Sequence, residues 1–332
     1  MKRLIFLPAL VILLILASLP GLGKEAPVKI RLNEVTHSVF YAPQYAALNL
    51  GFFAEQGLDV ELTNGAGTDK VMTAVLSGQA EIGFGGPEAA IYVYNEGKQD
   101  HPVLFAQVTD RDGSFLMGRV AEPNFKWSNV KGKKIIGGRK GGMPEMTLEF
   151  VLKKNGLKIG EDVDVDTGIQ FALMGPAFLG GQGDYVALFE PTASMLEKEG
   201  KGYIVASIGK ESGPVSYTAY FAKKSYLQKN PAVIQKFTNA LYKGQIWVAQ
   251  HSPAEIAKAI KASFPDASEE ILTMVAARYK AQDTWNTTPV FKKTSFQLMQ
   301  RIMQTAGELK SPVPFSKVVT LSFAQKAVKT VK

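Results

Sequence analysis

The feature that most constrains the fold is an alternation of strand-like and helix-like segments running from Val28 to Glu199. Val28–Val35 alternates apolar and polar residues and is predicted to be a strand. Pro43 can start a helix that Gln44–Leu50 continues and Gly51 stops. Leu58–Leu62 is a second predicted strand. Thr68 can then cap a helix whose Val71, Val75 and Leu76 share a face, with Gly78 at its end. Glu81–Phe84 and Val103–Val108 are predicted strands around a helix that Pro87 opens and that ends near Gly97. The pattern repeats with strands at Lys133–Ile136, Asp164–Gln170 and Tyr185–Phe189. Between and after them lie a helix at Pro144–Lys154, the segment Pro176–Gly180 and a helix at Pro191–Glu199. Such alternation implies an α/β protein whose sheets are mixed but mainly parallel, with helices on both faces.

From Pro231 the chain becomes helical. Pro231–Gln250, Pro253–Ser263, Ser268–Lys280 and Lys292–Leu309 begin with good signals, including Asn230-Pro231 and Ser252-Pro253. Val108–Gly118 and Ser212–Tyr220 combine turn residues with extended-favouring ones and are predicted to cross between two lobes. Lobe 1 is then 24–110 with 216–332, and lobe 2 is 111–215. A hinge of two segments permits closure around a ligand.

The N-terminus carries a different signal. Lys2 and Arg3 precede an almost wholly apolar run from Leu4 to Leu19, and Pro20-Gly21-Leu22-Gly23 places small residues before a cut after Gly23. This is the layout of a secretory signal peptide over residues 1–23. An anchor retained in the membrane is the other reading of the same run. The expected mature protein is exported to the periplasm or the extracellular space and is soluble. The chain has no cysteine. That excludes a lipid anchor on a cysteine at the cleavage point, disulfides, and thiolate metal sites or nucleophiles. The formal charge of +8 falls to +6 without Lys2 and Arg3, and the basic residues are scattered, so nucleic acid is not an expected partner.

Three stretches resemble a known family. His37 to Ala47 (HSVFYAPQYAA) leads to Leu50 to Val60 (LGFFAEQGLDV), and Val75 to Phe84 (VLSGQAEIGF) follows. In order and spacing they are similar to the nitrate/sulfonate/taurine and thiamine-pyrimidine group of ABC-transporter solute-binding proteins. Phe189-Glu190-Pro191 resembles that group's aromatic-acid-proline element. The resemblance implies a type II periplasmic-binding-protein fold, a small-molecule ligand held between the lobes, and a membrane permease as partner. The expected protein is a monomer with no cofactor and no catalytic residue.

Ligands of open α/β sheets bind beyond the carboxyl ends of the strands. That rule selects His37, Ser38, Phe40 and Tyr41 after the first strand, Gly67 and Thr68 after the second, and Gly86 and Glu88 after the third. In lobe 2 it selects Arg139, Gly141 and Gly142, then Phe171, then Phe189 and Glu190. Phe115 and Tyr217 lie in the predicted crossings. The glycines let backbone N–H groups approach a ligand at helix starts, where anions or carbonyl acceptors are favoured. Phe40, Tyr41, Phe115, Phe171, Phe189 and Tyr217 either stack on a flat ligand or pack in the core. Glu190 either accepts from ligand N–H groups or caps its own helix. Glu88 either binds ligand or is simply stabilised in a first helical turn. His37 either binds ligand or shapes its loop. His37, His101 and His251 share no metal-ligand spacing, so no metal site is expected.

Two ligand classes remain. A flat nitrogen heterocycle, such as a thiamine-pyrimidine precursor or a flavin, suits the aromatic residues and Glu190. A sulfonate, taurine or nitrate anion suits Arg139 and the glycine-rich helix starts. Enzymes that make the thiamine pyrimidine resemble the same motif, but they carry a cysteine-rich signature that this chain lacks.

Overall fold

The structure is a computed structural model that describes residues 26–331. The segment 1–23, expected to be a signal peptide, lies outside the described residues. Ten strands form two five-stranded sheets. The first contains β1 (Val28–Glu34), β2 (Leu58–Asn64), β3 (Ile82–Gly85), β4 (Pro102–Thr109) and β10 (Thr218–Lys223), in the order β2-β1-β3-β10-β4. The second contains β5 (Phe115–Gly118), β6 (Lys134–Ile136), β7 (Asp164–Asp166), β8 (Tyr185–Leu188) and β9 (Tyr203–Ser207), in the order β7-β6-β8-β5-β9.

In each sheet four strands run one way and one runs against them. β1 is parallel to β2 and β3, while β10 is antiparallel to β3 and β4. β6 is parallel to β7 and β8, while β5 is antiparallel to β8 and β9. The two reversed strands are the ones the chain enters directly from a crossing between sheets. The crossings themselves are short: residues 110–114 join β4 to β5, and residues 213–217 lead into β10. Parts of both predicted crossing stretches are therefore strand. Phe115–Gly118 is buried throughout and β10 is buried up to its last residue, so neither shows the alternation that marks a half-buried strand.

The helix starts follow local chemistry. Ser252 and Glu255 form a capping box, and Ser268 accepts from Ile271 N. Pro231–Gln250 is one continuous helix. Thr68, expected as a cap, is instead the first helical residue after Gly67, and its Oγ1 accepts from Gly86 N at 3.2 Å. That bond ties together the chain segments that follow β2 and β3, at the carboxyl end of the first sheet. The predicted Asp164–Gln170 strand stops at Asp166, and Ser322–Thr330 adds a terminal helix.

Phe84 stacks on Tyr220 with ring centroids 4.3 Å apart, and Phe237 meets Tyr220 edge-on. These rings join the first sheet to the long Pro231–Gln250 helix. That helix crosses Ala42–Asn49 at Gly244, where an added methyl would strike Pro43 O and lie 2.9 Å from Ala47 Cβ. Gly244→Ala is therefore expected to lower stability by about 1–3 kcal/mol, as overpacking against backbone does. A thermal melt of the variant unchanged from wild type would show that the helices separate freely. The first sheet's hydrophobic core continues across the cleft to Phe115, Met143, Met146 and Phe189, so the lobes are closed on each other.

Candidate ligand-binding cleft

A cavity of about 90 Å³ lies where the carboxyl ends of the two sheets meet. Tyr41, Gly67, Thr68, Gly86 and Glu88 line it from the first lobe, Arg139, Gly142, Phe171 and Phe189 from the second, and Tyr217 from a crossing. The Thr68–Ser77, Glu88–Asn95 and Met143–Lys154 helices all begin at its wall, directed there by Gly67, Gly86 and Gly142. Val35, Thr36, Gly138, Met143, Pro144 and Thr218 complete the lining. The strand-end rule covers the loops of most of these. Met143 lies in the Gly137–Pro144 loop that the rule reaches, and Thr218 was missed because it begins an unpredicted strand.

Glu88 dominates the electrostatics. It is 2% exposed, and its Oε2 has no hydrogen-bond partner. Burial pushes its carboxyl up to about 7, against an opposing pull from backbone N–H groups and Arg139. The site needs Gly86 beside it, because any Cβ there would collide with the Glu88 carboxylate. Asp112, in the first crossing, is also buried and pushed up to about 7 by burial, although Ser114 N and Oγ donate to its Oδ1. Among the described residues no cluster of three or more His, Asp or Glu side chains is placed to hold a metal.

The remaining six sequence-selected residues do not line the cavity. Phe40 is fully buried behind it, with Tyr41, Phe189, Tyr217 and Tyr279 around its ring. Phe115 packs toward Tyr279, with the Arg278 guanidinium over its ring. Gly141 offers its carbonyl to Tyr92 OH across the lobes at 3.0 Å. Ser38 Oγ donates to Glu190 O, also across the lobes, at 2.5 Å.

Glu190 caps rather than binds. Its carboxylate accepts from Ser194 N at 2.8 Å and Ser194 Oγ at 2.7 Å, at the start of the Thr192–Lys198 helix. Arg278 Nη1 donates to it at 2.6 Å. No free carboxylate oxygen is left to face a ligand. The sequence selected both Glu88 and Glu190, and of the two Glu88 lines the cavity.

His37 shapes its loop. Nε2 lies 2.6 Å from Ser263 O and Nδ1 lies 2.8 Å from Glu34 Oε1, two groups that accept. Tyr45 OH also lies 3.1 Å from Nδ1, and the two acceptors favour the protonated ring. The hydrogen bond it donates to Glu34 raises its pKa from 6.5, and burial opposes that rise. The bond's contribution to stability is complete below the ordinary histidine value and is lost as pH rises through the raised one. An NMR titration of the His37 ring should give a midpoint above 6.5. A midpoint at or below that value would mean that the Glu34 contact carries no charge.

Comparisons with known proteins agree with this geometry. Residues 39–256 match the family model described as NMT1/THI5 like. YtlA of Bacillus subtilis (strain 168), provisionally named a binding protein, is 44% identical over 303 residues, covering 91% of each chain. The ligand-binding component of an ABC-type import system from Staphylococcus aureus, with zinc bound, has a similar structure. Its TM-score is 0.75 at 16% identity, over 90% of this chain and 99% of that one. The alkanesulfonate-binding protein SsuA of Xanthomonas axonopodis pv. citri, bound to MOPS, gives a TM-score of 0.72 at 16% identity, over 89% and 99%. The desulfurization enzyme DSZB shares the fold at a TM-score of 0.63 and 12% identity, over 91% and 99%, so the fold alone does not separate binding from catalysis. Two lobes closed on an aromatic cavity, the match over residues 39–256 and the close relative together place the chain in the NMT1/THI5-like family, with the periplasmic-binding-protein fold.

Proposed function

We propose that this protein is the exported, monomeric solute-binding component of an ABC importer and delivers a small, flat nitrogen heterocycle to a membrane permease. The observation that carries the ligand class is Glu88: a buried carboxyl with one unpartnered oxygen, set in a cavity walled by Tyr41, Phe171, Phe189 and Tyr217. Aromatic faces favour a planar ring, and a buried carboxyl favours a ligand that brings ring or amino N–H donors to it. The volume of about 90 Å³ suits a single ring. It is far below the ~300 Å³ at which pockets for larger ligands begin, which weighs against a flavin. Lobe 2 (111–215) would move against lobe 1 to admit the solute.

Arg139 and the glycine-rich helix starts favour the second reading, an alkanesulfonate or nitrate-type anion. A carboxyl in the same cavity opposes it by repulsion. Catalysis has less support: the chain contains no cysteine, and no nucleophile with an adjacent base lines the cavity. Calorimetry on the mature protein with an aminopyrimidine and with an alkanesulfonate separates the readings. Saturable binding of the aminopyrimidine alone is the expected result. Binding of the sulfonate alone would overturn it.

A further inference from the structure

Beside the first crossing lies a second hollow of about 180 Å³, larger than the interlobe cavity of about 90 Å³. One wall is the end of the Pro231–Gln250 helix, with Gln245 and Ala249. The other is the end of the Glu269–Ala281 helix and the segment that follows it. Asp283 makes the turn there, with a left-handed φ of 52° that an aspartate tolerates. The chain then runs back along β4, where Asn286 N donates to Val108 O at 2.9 Å and Trp285 bridges to Thr109.

This hollow is lined by an acceptor and a donor that nothing in the chain meets. Gln245 is 1% exposed and Asn286 is 5% exposed. Gln245 Nε2 donates to Gln107 O at 2.9 Å, which fixes the amide's orientation and leaves Oε1 without a partner. Asn286 Nδ2 has no partner either. Buried amide atoms left unpaired are costly. The space is several times the ~30 Å³ that one water molecule takes up. The Lys280 ammonium is already engaged, donating to Val248 O and Ala249 O at 3.2 Å and to His251 O at 2.6 Å. It closes a helix end and has no donor left for an anion. Asp283, exposed at the rim, repels one. Trp285, half-buried, and Tyr279 give the hollow an aromatic side.

We infer that this hollow is a second binding site and that it takes a small flat carboxamide or lactam. One amide group satisfies both orphans: its N–H donates to Gln245 Oε1 and its carbonyl accepts from Asn286 Nδ2. An ionised carboxylic acid of the same shape brings no donor for Gln245. The site is independent of what the cleft between the lobes binds, but its wall is tied to the lobes. Thr284 O accepts from Asp110 N at 2.9 Å in the first crossing. Tyr279 OH donates to Gly113 O at 3.0 Å and accepts from Glu190 N of the other lobe at 3.2 Å. An occupant braces these contacts and so favours the closed arrangement.

Calorimetry with benzamide and with benzoate, on wild type and two variants, tests the site. Benzamide should bind wild type saturably and at least tenfold tighter than benzoate. Asn286→Ala removes a donor that has no partner, so its thermal melt should match wild type while benzamide binds about tenfold more weakly. Ala249→Trp, at an exposed position, fills the hollow and should abolish binding. In hydrogen exchange, saturating benzamide should slow the Glu190 amide several-fold. No saturable binding of benzamide would overturn the site. Benzoate binding as tightly as benzamide would overturn the amide chemistry. Full affinity in Ala249→Trp would overturn the location and put the compound elsewhere, the interlobe cavity included. An unchanged Glu190 exchange rate would overturn the link to closure and leave the site standing.

Discussion

Glu88→Gln protein is expected to lose most of its affinity for an aminopyrimidine and, at the same time, to gain stability relative to wild type as pH rises. Both effects come from one buried carboxyl. In the folded chain burial holds it at about 7, against 4.5 for an ordinary glutamate. Between those values the folded protein binds more protons than the unfolded chain, so wild-type stability falls as pH rises through that window. The full cost, about 3 kcal/mol for a gap of this size, is in place at slightly alkaline pH. Glutamine does not titrate and carries no such cost. The stability difference, variant minus wild type, should therefore grow by about 3 kcal/mol between pH ~5 and pH ~8 in urea melts. Asp112 titrates in both proteins and cancels. The lost carboxylate should weaken binding of the aminopyrimidine by about 1–3 kcal/mol. A stability difference that does not move with pH would show that the Glu88 carboxyl is solvated or paired.

Arg278→Ala should be the most destabilising single change at the lobe interface, by about 3–5 kcal/mol. The arginine projects from the Glu269–Ala281 helix and pairs with Glu190 at 2.6 Å and Glu197 at 2.9 Å. The Glu190 side chain has no exposed surface, so removing its cation leaves a buried charge held only by hydrogen bonds from Ser194. Most of the cost arises from that orphaned charge rather than from the attraction lost. A double variant, Arg278→Met with Glu190→Gln, should recover most of the stability. Urea midpoints of the single and double variants decide the matter. A single variant within ~1 kcal/mol of wild type would mean that solvent screens the pair as it screens a surface ion pair.

The contrast between Glu88 and Glu190 shows where sequence reasoning succeeds. Each carboxylate follows a predicted strand and stands at or just before a helix start, so local rules select them both. What separates them is remote. Arg278 lies 88 residues beyond Glu190 and has no local signature there. The short Glu88–Asn95 helix instead turns its first residue inward, beside a glycine that leaves room for it. Alternation, by contrast, is local, and the strands and helices that display it were legible along most of the chain. β5 and β10 escaped because burial on both faces erases the period of two. β9 escaped for a different reason, since Tyr203–Ser207 is exposed or half-buried throughout and has no buried face to alternate with a polar one.

The position of β10 has a consequence for how the chain is born. It lies between β3 and β4, two strands made long before it, and its Tyr220 is paired with Phe84 and Ala106. While the polypeptide leaves the ribosome, the first sheet has a vacant lane at its centre. That lane stays vacant until residue 223 of 332 has been synthesised. Until then β3 and β4 have no ladder to join them, and the Phe84 ring has no Tyr220 to stack on. Pairing of such separated segments must wait for the costly closure of a long loop. Assembly of the first sheet is thereby held back until about two thirds of the chain has been made.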